Sequence, residues 1–249
     1  MASLNLVIAN LTTTIDDDAF AAAVAAISLQ ASRDFQPEWG AAATITGTRL
    51  DLNGGRAAID AAAGAVVYVG EASDDPTTGT AGVFGYHSNN LGQTPYAFVY
   101  LDVCAQYGEA WSCTLSHEVL ELLADPTAVL SVSGPAPASA GAPGETVSYG
   151  LEVCDPTQSD TYQVDGVTVS NFVNKAYFGM AGGGAATNHL GLPLIAFGVR
   201  PQGYVQYEDS GGPHQINGER VDARRLAARA MLARHRRNAR REAAVRTRL

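Results

Sequence analysis

The chain has 249 residues, of which 46% are hydrophobic and 16% charged, enough apolar material for a substantial core, as one large domain or one domain with appendages. Its formal charge of -9 is unevenly spread: from Glu219 onward eleven arginines face three acidic residues, so that segment carries +8 and residues 1–218 carry -17. A body this acidic repels phosphates, which excludes nucleic acid as its partner, and three cysteines are too few and too odd in number for a disulfide scaffold.

In chain order, Leu4 to Asn10 alternates as a strand, and Thr12 to Asp18 is an acidic capping run ahead of an alanine-rich helix, Ala19 to Arg33. Pro37 and Gly40 in Asp34 to Gly40 predict a break anchored by two aromatics. Ala43 to Leu52 and Ala65 to Glu71 read as strands, with a turn at Asn53-Gly54-Gly55 between them, and Asp74-Asp75-Pro76 as a surface loop. Gly82 to His87 and Pro95 to Val103 are two further strands, the second almost wholly apolar and so central or facing a helix.

The next stretch, Leu115 to Asp125, carries the chemistry. Ser116 is its expected N-cap, Glu118 and Glu121 lie where the helix dipole favours anions, and Asp125-Pro126 ends it. Val119, Leu120, Leu122 and Leu123 would bury one side; His117 and Glu121, four apart, project together on the other with Glu118 beside them. The pattern H-E-x-x-E matches four of the five positions of H-E-x-x-H, in which two histidines hold zinc and the intervening glutamate is the general base.

Val129 to Thr146 is rich in Pro, Ala, Gly and Ser and predicts a loop or flap. Val147 to Cys154 alternates as a strand and runs into Glu152-Val153-Cys154-Asp155-Pro156. Asp165-Gly166 between alternating runs marks a hairpin over Thr161 to Asn171, continued by Phe172 to Tyr177. The glycine-rich Gly179 to Ala186 lacks any phosphate-binding fingerprint. Leu192 to Gly198 and Tyr204 to Glu208 are expected as strands before the break at Gly211-Gly212-Pro213. Glu219 to Leu249 has strong helix formers and neither Gly nor Pro, predicting a basic helix able to dock on the acidic body, an assembly partner, an anionic surface or nucleic acid.

With a mixed sheet, an apolar strand near its edge and an H-E-x-x helix, residues 95–125 resemble the N-terminal half of zincin-type metallopeptidases. The resemblance implies an α+β fold: a mixed, mostly antiparallel sheet packed on the active-site helix, a hairpin-rich second half and a C-terminal basic helix. It divides the body, 1–218, into subdomains of about 1–128 and 145–218, with 219–249 as a tail. It also implies a peptide or protein substrate, zinc held by His117, Glu121 and an acid from the Glu152 to Asp155 element, and Glu118 as the base in amide hydrolysis. Glu152 ranks first as third ligand and Asp155 as its neighbour orienting a histidine, or the reverse.

Two carboxylates neutralise zinc more than two imidazoles do, so this ligand set makes a weaker Lewis acid and also suits Mn or Ca. The rival reading is a zincin-like binding or structural protein in a larger assembly. His87, His189 and His214 are further candidates to bind metal or stabilise a transition state. The cysteines read as buried thiols, with one pair left open. There is no basic and apolar leader after Met1 and no run of 18 apolar residues, so neither a Sec signal nor a membrane span is expected; the cytoplasm is favoured, with non-classical export open.

Overall fold

A computed structural model describes residues 3–50, 63–75, 84–89, 94–137 and 144–219. The expected turn at Asn53-Gly54-Gly55, most of the Arg-rich tail, and the start of the strand at Gly82 lie outside the described residues. The protein is α+β with mixed sheets. Among the described residues, no helix is long and apolar enough to cross a membrane.

Strand β1 (Leu4–Asn10) leads into helix α1 (Asp17–Leu29), whose N-cap Asp16 accepts a hydrogen bond from the Ala19 amide at 2.7 Å. The chain does not break at Asp34 as the proline suggests. A π-helical segment, Gln30–Phe35, runs into α2 (Gln36–Trp39), where Pro37 sits in the first turn and needs no amide hydrogen bond. Gly40, with φ of 73°, then ends the run in the left-handed conformation that glycine tolerates.

Strands β2 (Ala43–Arg49), β3 (Ala65–Gly70), β4 (Gly85–Asn89) and β5 (Pro95–Tyr100) join β1 in a five-stranded sheet of order β2-β1-β3-β5-β4. The expected antiparallel character is corrected here: β1 pairs parallel with β2 and β3, and β3 pairs parallel with β5. Only β4 is antiparallel, against β5. The physical reason is α1, a crossover that returns the chain to start β2 in the same direction as β1. The apolar run 95–103 is also shorter as a strand than expected. It ends at Tyr100, and Leu101–Tyr107 turns into helix α3, closed by Gly108 at φ 65°.

Helix α4, Trp111–Ala124, starts four residues before the expected Leu115. It packs against β3, β4 and β5 on one side and against a later strand, Val167–Ser170, and helix α1 on the other. Every side chain from Cys113 to Leu123 is therefore buried. Ser116 is not the cap but a mid-helix residue, and its hydroxyl donates to Gln30 Oε1 at 2.7 Å. The amide of Gln30 in turn donates to the Ser170 carbonyl at 2.9 Å and to Tyr162 at 3.1 Å, while Ser170 N donates back to Ser116 Oγ at 3.1 Å. This buried network fixes the rotation of α4 about its axis, and with it which residues face the β4 side.

The Pro-, Gly- and Ser-rich stretch after α4 is not all loop. Ser131–Pro135 forms β6, paired antiparallel with β7 (Thr146–Gly150), because extended backbone can pair whatever its side chains. The hairpin of β8 (Thr161–Val164) and β9 (Val167–Ser170) is as expected, with Asp165 at φ 49° and Gly166 at φ 81° in its turn. Lys175–Phe178 is a short 3₁₀ turn, where continuation of the hairpin was expected. Leu192 to Gly198 is not a strand: its backbone turns, with Phe197 at φ 58°. The strands β10 (Tyr204–Asp209) and β11 (Gly212–Asn217) complete a four-stranded sheet of order β11-β10-β7-β6. One hydrophobic cluster runs from Leu6 to Phe178, and a smaller one gathers Val147, Tyr149, Val205 and Tyr207.

Asp75, expected in a surface loop, is buried and accepts hydrogen bonds from Tyr86 at 2.7 Å and Tyr100 at 2.6 Å, which ties β4 to the end of β5. The three cysteines are buried and free, and burial raises the Cys104 and Cys113 thiols to about 12. Gln30→Leu should cost about 1–3 kcal/mol, because it leaves Ser116 and the Ser170 carbonyl buried without their partner. Urea unfolding measures that loss, and a variant as stable as the parent would show that the network does not hold α4.

Candidate metal centre

Helix α4 supplies His117, Glu118 and Glu121, all buried, with His117 and Glu121 one turn apart. A helix face open to water is thereby ruled out. The opposite wall is β4, on which Gly85 and His87 point the same way by the two-residue period of a strand, while Tyr86 points to Asp75. Gly85 is required by α4: a Cβ there would lie 2.8 Å from the Phe98 carbonyl and 3.0 Å from Glu118 Oε1. The third wall is the extended stretch after β7 and its turn Asp155–Thr157, bringing in Glu152 and Asp155, both buried. That turn is clamped by Arg200 N on the Pro156 carbonyl at 2.9 Å and by the close approach of Gly203, where any side chain would meet backbone atoms of Asp155 and Pro156.

Six side chains converge. His117 Nε2 lies 3.3 Å from Glu121 Oε1 and 3.2 Å from Asp155 Oδ1. His87 Nδ1 lies 3.5 Å from Glu121 Oε2 and 3.6 Å from Glu118 Oε2, and its Nε2 is 3.7 Å from Glu152 Oε2. Glu121 is oriented by the Cys154 amide, which donates to its Oε1 at 3.2 Å. Two triads, His117–Glu121–Asp155 and His87–Glu121–Glu152, each offer donor atoms within 4.8 Å of one another.

These residues fit a metal ion. Ligand atoms about 2.0–2.1 Å from a tetrahedral ion stand about 3.3–3.4 Å apart, which matches the spacings around His117 Nε2. One ring nitrogen facing two carboxylates is also a poor hydrogen-bond arrangement, since a single N–H satisfies one acceptor, whereas a cation satisfies both. Burial opposes a charged His117 and is the largest influence on it, yet the fields of Glu121 and Glu118 and hydrogen bonding to Asp155 and Glu121 outweigh burial and raise its pKa well above the usual histidine value. The surrounding carboxylates thus favour positive charge at this ring. The donor set, imidazole and carboxylate oxygen, accommodates zinc and manganese.

Of the residues singled out from sequence, His87, His117, Glu118, Glu121, Glu152 and Asp155 come together, and His189 does not belong to either triad. Its ring stacks on Phe172 with centroids 4.9 Å apart, and its Nε2 lies 3.9 Å from Asp34 Oδ2. Burial lowers its pKa despite that carboxylate. His214 is on β11, 2.9 Å from Asp209 and stacked on Tyr207. The sequence reading missed Gly85, whose signal is the Gly-x-His spacing on a strand, and Gly203, which has no local signal.

Beside the centre is a cavity of about 20 Å³, bordered by His117, Glu118, Thr114, Phe84, Gln158 and Tyr204, with room for about one water molecule. No protein-family model, curated protein or solved structure matches this chain.

A ligand that binds only the folded state stabilises it, so zinc at about a hundredfold excess over its dissociation constant should raise the melting temperature of chelator-treated protein by about 5–10 °C. Differential scanning calorimetry reads this shift, and its absence with zinc, manganese and calcium alike would remove the metal. Gly85→Ala should cost about 1–3 kcal/mol through the clash with the Phe98 carbonyl and Glu118; denaturant midpoints give the value, and an unchanged midpoint would mean β4 and α4 are not in contact.

Proposed function

We propose that this chain is a metal-dependent hydrolase of peptide bonds, with zinc as the metal and a zincin-like helix at its centre. The observation that carries the reading is the water-sized cavity bordered by both His117 and Glu118. His117, Glu121 and Asp155 would hold the ion, with Asp155 in the place first assigned to Glu152, because Asp155 Oδ1 is the oxygen 3.2 Å from His117 Nε2. A bound zinc ion supplies Lewis acidity that polarises a carbonyl and makes water acidic near neutral pH.

The remaining work belongs to the protein. Glu118 accepts the proton of a water in the cavity, the resulting hydroxide bonds to the substrate carbonyl carbon, and Glu118 delivers the proton to the amine nitrogen as the C–N bond breaks. The same burial that excludes bulk water strengthens the field between Glu118 and the substrate carbonyl.

The second reading is a buried cation that braces α4, β4 and the Asp155 turn, without turnover. The near-complete burial of Glu121, Asp155 and Glu118 favours it, since such a centre cross-links three segments distant in sequence. In either case the +8 charge of residues 219–249 suits them to an acidic assembly partner or an anionic surface.

Glu118→Gln separates the two. For the hydrolase, the variant keeps its metal by mass spectrometry and loses about 10²–10⁴-fold in cleavage of a peptide library. Equal cleavage by variant and parent would contradict the role of Glu118, and no cleavage by the parent would leave the bracing role.

A further inference from the structure

We infer that the centre holds two divalent cations, bridged by Glu121, which goes beyond the single ion above while resting on the reading that His117, Glu121 and Asp155 bind metal. The two oxygens of Glu121 face different imidazoles: Oε1 is 3.3 Å from His117 Nε2 and Oε2 is 3.5 Å from His87 Nδ1. The two buried triads share Glu121 and differ in every other member. A carboxylate placed this way spans two ions about 3.5–4 Å apart, the separation found in two-metal hydrolytic sites.

Glu118 gives an independent indication. Its Oε2 is buried, accepts no hydrogen bond, and is aimed at the second position, 3.6 Å from His87 Nδ1. A buried anionic oxygen is costly unless something positive stands near it. The oxygens nearest His87 Nδ1, Glu121 Oε2 at 3.5 Å and Glu118 Oε2 at 3.6 Å, stand beyond the roughly 2.7–3.2 Å of N–H···O bonds. Glu152 Oε2 lies on the Nε2 side of the ring at 3.7 Å, and one nitrogen of His87 with one oxygen each of Glu121 and Glu152 fall within 4.8 Å of one another, a span that one ion bridges.

The number of donors points the same way. Glu118, Glu121, Glu152 and Asp155 gather in one buried cluster with two imidazoles, more donor groups than a single four-coordinate ion uses. His87 and Glu152 are then the ligands particular to the second ion, and Glu118 stands beside it.

The test is a Mn²⁺ titration of metal-free full-length protein, with bound manganese counted by mass spectrometry after gel filtration and followed by electron paramagnetic resonance. Two Mn²⁺ per chain are expected, the second equivalent broadening the six-line signal of the first through spin coupling; His87→Ala should bind one, uncoupled. Saturation at one ion per chain, or at none, overturns the proposal, and the parent spectrum decides even if the variant fails to fold. One ion with Glu118-dependent cleavage rejects this inference and keeps the hydrolase; two ions without cleavage do the opposite.

Discussion

Four carboxylates packed around two imidazoles, out of reach of bulk water, is the constraint on which this molecule turns. Taking one carboxylate from water into a protein interior costs several kcal/mol after relaxation, and neighbouring like charges add to it. Glu118, Glu121, Glu152 and Asp155 are all buried within one cluster. Compensating positive charge relieves that cost, and the donor spacing around His117 Nε2 suits a cation between the groups.

The rest of the fold explains how the cluster is held. Helix α4 is buried on both sides, between the main sheet and the β8–β9 hairpin, so it has little freedom to rotate or slide. Its angular position is set far from the centre, by Gln30, Ser116 and Ser170. Glycine at position 85 lets β4 approach the helix closely enough for His87 to reach Glu121. The Asp155 turn depends on Gly203 and Arg200, residues from a different part of the chain. Each wall of the centre is thus positioned by contacts outside it.

Much of the site was legible in the sequence, because its helical part is local. The i, i+4 spacing of His117 and Glu121 follows from helix geometry alone, and the downstream Glu152 to Asp155 element was the natural source of further carboxylates. His87 was one histidine among several, since its place depends on the register of β4 against β5 and on the approach of α4. Which of Glu152 and Asp155 meets His117 was left open for a similar reason: it is decided by the 3₁₀ turn at Asp155–Thr157, which brings Asp155 Oδ1 to 3.2 Å from His117 Nε2. In the fold, the α+β class and the Asp165-Gly166 hairpin were readable. The parallel pairing of β1, β2, β3 and β5 was not, because strand direction is set by crossovers rather than by side-chain alternation. Strand β6 was hidden by a composition typical of loops, and Leu192 to Gly198 has a strand-like composition but turns.

Nitrogen and oxygen ligands, including imidazole, are proposed to hold a metal ion at this centre. X-ray absorption at the zinc K edge of zinc-loaded protein tests it most directly, all the more because the Cys154 thiol is buried just before Asp155. Nitrogen and oxygen at about 2.0–2.1 Å from zinc, with scattering from the more distant imidazole ring atoms and no sulfur, is the expected result. A sulfur shell at about 2.3 Å, or a fully hydrated ion without imidazole, would contradict it.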